Sequence, residues 1–299
     1  MFSRLPREES LTGIEVHLFM NIMNGLVWGL IVALIALGLV LIFGLIKILN
    51  ISHSELYMLG AILGWYLIQY THSFWLALVV SPLLVGAIGL CIERGVLRPI
   101  EDKPIKTLIT TLGVSLILQY TVYWFYGGSP QRIVEPFQFQ VTLFGAGYSG
   151  YRFFVAVFSA AVIALLGLFL QKTKIGLWIR AVKQDPEMAV AVGLPAKRVI
   201  MITFALGSFL AALGGILAAP ILSIDFQMGL EILPTAFMVV IIGGPGNLVG
   251  AVGASILIAE LEGISSVFTS PTISRVLSLV LMSFVLLKRP EGIFTRARR

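Results

Sequence analysis

Charge is what this sequence has least of. Asp, Glu, Lys and Arg make up 12% of its 299 residues, about half the share of an ordinary soluble domain. With a mean hydropathy of +0.97, that scarcity excludes a soluble globular chain. The single cysteine, Cys91, excludes an intrachain disulfide, and its apolar flanks assign it to packing. The three histidines form no pair at metal-ligand spacing, and no Ser–His–Asp arrangement is evident. The Gly-rich stretch at residues 242–247 lacks the preceding strand and following lysine of a phosphate-binding loop, so it reads as a tight turn. The sequence therefore offers no catalytic machinery, no cofactor site and no metal site.

What the chain does have is apolar runs, at residues 22–46, 56–70, 74–92, 108–126, 153–170, 199–224, 232–242, 249–259 and 273–287. They are continuous rather than alternating, which excludes a β-barrel. The fold class that follows is all-α, a polytopic membrane helical bundle of about eight or nine segments. It forms a single domain over residues 1–299, opening with a polar segment at 1–20. That opening lacks the features of a cleaved signal, so the first apolar run is expected to act as an uncleaved insertion signal. A lipid-spanning helix needs about 20 apolar residues. The runs 232–242 and 249–259 are shorter, which marks them as broken or re-entrant elements shielded inside the bundle.

The net charge of +6 does not indicate nucleic-acid binding, because the basic residues gather at the ends of apolar runs. Arg94, Arg98, Lys103 and Lys106 share one loop. Lys172, Lys174, Arg180, Lys183, Lys197 and Arg198 share a second, and Lys288, Arg289, Arg296, Arg298 and Arg299 close the chain. Fifteen of the 21 Lys and Arg fall in these places, which places all three on the cytoplasmic side of a cell membrane. Counting runs backwards from Arg94 leaves the N-terminus outside. The interval 127–152, with Pro130, Pro136, Phe137, Phe139, Phe144, Tyr148 and Tyr151, is then external, as an interfacial loop or short hairpin.

Polar residues within apolar surroundings face a bundle interior or a water-filled path. The densest cluster is Asn50, Ser52, His53, Ser54 and Glu55, directly after the first long run. Asn50, Ser52, His53 and Glu55 are the candidate substrate-path residues, at a polar kink of the kind broken transporter helices use. The alternative is a plain turn in which Ser54 caps the next helix. Asp225, Gln227 and Glu231 gather after Pro220, as an external vestibule or a solvated loop. Glu260 and Glu262 point to different sides of one helix. Small residues at helix-contact spacing (Gly25 and Gly29, Gly60 and Gly64, Gly246, Gly250 and Gly253) suit close helix approach.

The largest charged interval, residues 171–198, contains a short helix with legible ends. Asp185 is an N-cap, Pro186 suits the first position, Gly193 can adopt the left-handed cap, and Pro195 stops continuation. Two turns from Pro186 to Val192 are too short to span a bilayer, yet Met188, Ala189, Val190, Ala191 and Val192 are too apolar for water. The segment needs a covering surface, a partner protein or the headgroup layer. The spacing Glu187-x-Ala189-x-x-x-Gly193 resembles the loop with which ABC importer permeases dock on their ATPase.

Several ordered stretches together resemble one family. Ala36-Leu-Gly-Leu-Val-Leu-Ile-Phe-Gly44, Asn50-Ile-Ser-His-Ser-Glu55, Leu59-Gly60-Ala61, Arg94–Pro99, Thr111–Gln119, Arg180-Ala181-Val182, Thr203–Ser208 and Gly243–Gly250 are similar to blocks of the membrane permease of branched-chain amino acid ABC importers, the LivH type, with its urea and amide relatives. Ser54 stands where the family usually has Gly, and Ser52 where it has Ala. The resemblance implies a non-enzymatic permease in a bacterial or archaeal inner membrane. It also implies a second permease subunit (a paralogue or another copy), two cytoplasmic ATPases and an external solute-binding protein. Coupling would run through Asp185, Pro186, Glu187, Ala189 and Gly193. A urea or short-amide importer, and an ion-coupled secondary transporter using Glu55, Glu260 or Glu262, remain as alternatives.

Overall fold

A computed structural model describes residues 7–47, 49–100, 103–137, 139–143, 146–289 and 291–294. Arg296, Arg298 and Arg299 of the C-terminal basic cluster, and Phe144, lie outside the described residues.

The chain is a helical membrane bundle whose first helix is its axis. α1 (Arg7–Ile46) begins within the segment expected to be a polar lead. Its membrane-length part, Glu15–Ile46, has its most apolar stretch 89% buried in protein. An apolar surface on every side suits a helix enclosed by others. Around it stand α2 (His53–Thr71), α3 (Phe74–Ile92), α4 (Pro104–Tyr126), α5 (Gly150–Lys172), α8 (Ala196–Ala218), α9 (Met228–Gly243), α10 (Leu248–Phe268) and α11 (Pro271–Lys288). Two short helices, α6 (Lys174–Gln184) and α7 (Pro186–Ala191), occupy the charged interval. Among the described residues, seven helices are long and apolar enough to cross a membrane, while α9 is a shorter apolar one at 16 residues.

Two expectations need correction. The run 249–259 is not a short element, since α10 continues past Glu260 and Glu262 for 21 residues in all. The carboxylates do not end the helix because they turn into protein, Glu260 toward Gly25 of α1 and Glu262 toward a cavity under α11. Cys91 is exposed on α3 rather than packed. Among the described residues the bundle is all-α apart from an isolated Gln131–Ile224 bridge and one antiparallel hairpin, β1 (Gln140–Leu143) with β2 (Ala146–Ser149), which pairs Gln140 with Ser149 in the interval expected to hold a loop or hairpin.

Close backbone approach fixes the centre. A Cβ on Gly60 of α2 would strike the backbone of Ala212 on α8, and one on Gly215 of α8 would strike the Tyr57 carbonyl of α2. The periphery reverses the soluble pattern. On α4 the buried stripe is Thr107, Thr111, Ser115 and Gln119, while Ile105, Ile109, Leu112 and Ile117 point outward. In a solvent as apolar as leucine, burial selects polar pairing and small side chains rather than apolar area.

The three basic regions meet at one end of the bundle. An Arg98 Nη donates to the Lys197 carbonyl at 3.4 Å, and Lys183 Nζ to the Gly246 carbonyl at 2.6 Å. Asn247 Nδ2 donates to the Phe294 carbonyl at 3.0 Å. At the opposite end Trp75 packs edge-on against Phe137 and Phe154, and Tyr66 donates to the Phe125 carbonyl.

Candidate functional site

The polar kink is folded into the core. After α1 the chain turns through Lys47, at φ 56°, and α2 begins at His53. Asn50 Oδ1 accepts from the Ser52 amide at 3.1 Å and from Ser52 Oγ at 2.7 Å, a local turn that starts α2 without a side-chain cap. Ser54 donates to the Ile51 carbonyl instead of capping the helix. Asn50, Ser52, His53 and Glu55 are all at most 3% exposed.

His53 and Glu55 reach other helices. His53 Nε2 lies 3.0 Å from the Ile35 carbonyl of α1. A carbonyl only accepts, so Nε2 carries the proton and Nδ1 is left as an acceptor. Ser115 of α4 donates to Glu55 Oε1 at 2.9 Å, and Gly229 of α9 lies against Glu55 Oε2. Thr111 Oγ1 accepts from the Ile51 amide at 3.4 Å. The kink thus joins α1, α2, α4 and α9.

Among the described residues, seven buried side-chain polar atoms lack a partner, and three fall within these six residues: Asn50 Nδ2, His53 Nδ1 and Glu55 Oε2. An unmade buried hydrogen bond costs about 1–3 kcal/mol, so each of the three needs a water or another partner. The void beside Asn50 measures about 10 Å³ and is bounded by Glu93, Arg98, Thr107 and Thr111, space for about one water. The kink is sealed in this conformation.

The sequence reading missed the buried bidentate pair that closes that void. Glu93 is 1% exposed, and Arg98 holds both its carboxylate oxygens, the closer at 2.9 Å. The i, i+5 spacing gave no helical signal because the chain forms a π turn over Glu93–Leu97 there.

The second region is the exposed α6–α7 corner. α6 was also missed, although its signal is legible: Ile179 and Val182 are buried at helical spacing while Lys174 and Arg180 are exposed. Thr173 caps α6 by accepting from the Gly176 amide at 3.0 Å. Asp185 caps α7 by accepting from the Met188 amide at 2.9 Å, with Pro186 at its first position. Gly193, at φ 85°, ends it in the left-handed conformation that disfavours side chains.

Around this corner the apolar residues divide. Met188, Val190 and Val192 are 60%, 57% and 69% exposed, whereas Ala189 is buried against its own chain. Glu187 is exposed. Of the five residues assigned to coupling, Ala189 therefore seats the helix and cannot form its outer surface.

The corner is tied to the bundle by Lys183, two residues before Asp185. Its Nζ reaches the Gly246 carbonyl in the α9–α10 turn, and its stem lies along Gly44 near the end of α1. Burial there holds the Lys183 ammonium below the ordinary lysine pKa.

The chain matches the family described as branched-chain amino acid transport system, permease component, over residues 21–286. It is similar to the high-affinity branched-chain amino acid transport system permease protein LivH of Escherichia coli, 28% identical over 94% of this chain and 96% of that one. It is also similar to BraD of Pseudomonas aeruginosa, a permease of the same description, at 27% over the same shares. The xylose/arabinose import permease XylH of Sulfolobus acidocaldarius is 30% identical over 62% of this chain and 52% of its own. No solved structure gives a significant match. With membrane-length helices enclosing a buried polar kink, and a family match across nearly the whole bundle, this chain belongs to the permease components of branched-chain amino acid transport systems.

Proposed function

We propose that this chain forms half of the translocation path of an ABC importer for branched-chain amino acids, with a second permease subunit supplying the other half. Two cytoplasmic ATPases hydrolyse the nucleotide, and an external solute-binding protein delivers the solute. The three basic regions face the cytoplasm, which leaves the N-terminus outside and the hairpin on the external surface. The relatives matching along nearly the full length carry the amino-acid description, whereas the sugar permease matches over 62% of the chain. That supports the amino-acid reading over urea or another neutral solute.

The observation that carries the proposal is α7, a capped helix whose Met188, Val190 and Val192 have no cover from their own chain at the end where the basic residues gather. In this reading the ATPase supplies that cover. Its movement passes through Lys183 to the α9–α10 turn and the end of α1, and so to the helices that hold the Asn50–Glu55 kink. Opening the kink exposes Asn50 Nδ2, His53 Nδ1 and Glu55 Oε2 to the solute and its water. The test is capture of the ATPase by detergent-solubilised permease. Met188→Asp and Gly193→Val should abolish capture while the permease stays inserted and monodisperse. Undiminished capture by both variants would reduce α7 to a loop lying on headgroups.

A further inference from the structure

At the end of the bundle opposite the basic regions, α9 stops short. Its 16 residues rise only about 24 Å, and the space above Met228 is a cavity of about 390 Å³ enclosed by α1, α2, α9, α10 and α11. That volume lies within the range of small-ligand pockets, about 300–1,000 Å³.

The cavity wall carries both signs of charge. Asp225 and Glu231 come from the entry to α9, Glu262 from α10 and Arg275 from α11. Glu262 interacts with Ser278 and, electrostatically, with Arg275 across the cavity, while its Oε1 is shielded from solvent without a hydrogen-bond partner. Charged groups at membrane depth are retained where they meet a partner or a solute. The remaining wall mixes the polar Tyr57, Ser223 and Thr235 with an apolar side formed by Trp28, Leu222, Met228 and Ile232. Below it, the residue after Met228 is Gly229, which rests on Glu55 Oε2, so the floor of this cavity is the roof of the sealed kink.

We infer that this cavity is an outer binding site for a free α-amino acid: Arg275 takes the carboxylate, Glu262 the ammonium, and Trp28, Met228 and Ile232 the aliphatic side chain. An α-amino acid needs a cation and an anion side by side with an apolar surface beyond them, and adjacent helices α10 and α11 supply that combination. Asp225 and Glu231 leave an excess of negative charge, which repels solutes that are only anionic. Neutral solutes such as urea or a sugar give Arg275 no carboxylate and Glu262 no ammonium, so the site selects against them. The inference rests on the amino-acid importer reading above and adds to it a place where the permease itself reads the solute.

The test uses the complete permease–ATPase complex in detergent without the binding protein, with labelled L-leucine as probe. L-leucinamide and 4-methylpentanoate, which lack the carboxylate and the ammonium respectively, serve as competitors. Saturable leucine binding is expected. Arg275→Gln should weaken it roughly tenfold or more while leaving competition among amide-headed ligands unchanged. Glu262→Gln should weaken leucine and leucinamide alike. Absence of saturable binding, or leucine affinity in both variants equal to that of the unmodified complex, would overturn the site. ATP-driven leucine uptake with the binding protein present is measured in parallel. Uptake with no effect of either variant removes the site and leaves the importer reading standing, whereas absence of leucine uptake by the unmodified complex removes both.

Discussion

Single residues in this permease are constrained by what they touch across helices. Ile35, Ser115 and Gly229 belong to three different helices yet converge on the six residues of the kink. Replacing His53 with Ala removes the cross-helix donor to the Ile35 carbonyl of α1, and Glu55→Ala leaves Ser115 without its acceptor. Each loss costs about 1–3 kcal/mol, which a bundle of this size tolerates. Both variants should assemble with the ATPase and hydrolyse ATP while uptake falls; normal uptake by both would take these residues off the path. Gly60→Val tests packing at the same scale. Its side chain meets the Ala212 backbone, which cannot rotate away, so α2 and α8 must separate at a cost of about 1–3 kcal/mol or more. The expected result is a lower thermal midpoint in detergent, and an unchanged midpoint would show that the contact yields.

The element scale shows what the sequence could reveal. The kink was legible because Asn, Ser, His and Glu are out of place between apolar runs, and α7 because Asp185, Pro186 and Gly193 are end signals readable without tertiary context. α10 was misjudged because Glu260 and Glu262 break a hydropathy run without breaking a helix, and only the neighbouring helices reveal where they point. The Glu93–Arg98 pair and the reach of Lys183 to Gly246 depend on a π turn and on a contact 63 residues apart, and neither leaves a periodic trace. The Lys183 contact carries its own prediction. Lys183→Met keeps the stem and removes the donor, so ATPase capture should persist while uptake per ATP hydrolysed drops. Lys183→Gln, which retains a donor on a shorter stem, should recover part of the loss. Full coupling in the Met variant would show that motion reaches the bundle by another route.

At the scale of the whole molecule, the bundle is asymmetric from end to end. One end carries the basic residues and the uncovered α7 surface; the other carries aromatic clusters, the β hairpin and a charged cavity. Between them a sealed polar kink joins α1, α2, α4 and α9. That arrangement suits alternating access, with the nucleotide acting at one end and the solute entering at the other. The central claim is that this permease, driven through α7, moves a branched-chain amino acid. It is tested by reconstituting the permease pair, its ATPases and its binding protein in liposomes and following labelled leucine against labelled urea. The account predicts ATP-dependent accumulation of leucine, none of urea, and loss of leucine uptake in Met188→Asp; accumulation of urea in place of leucine, or full leucine uptake by that variant, would contradict it.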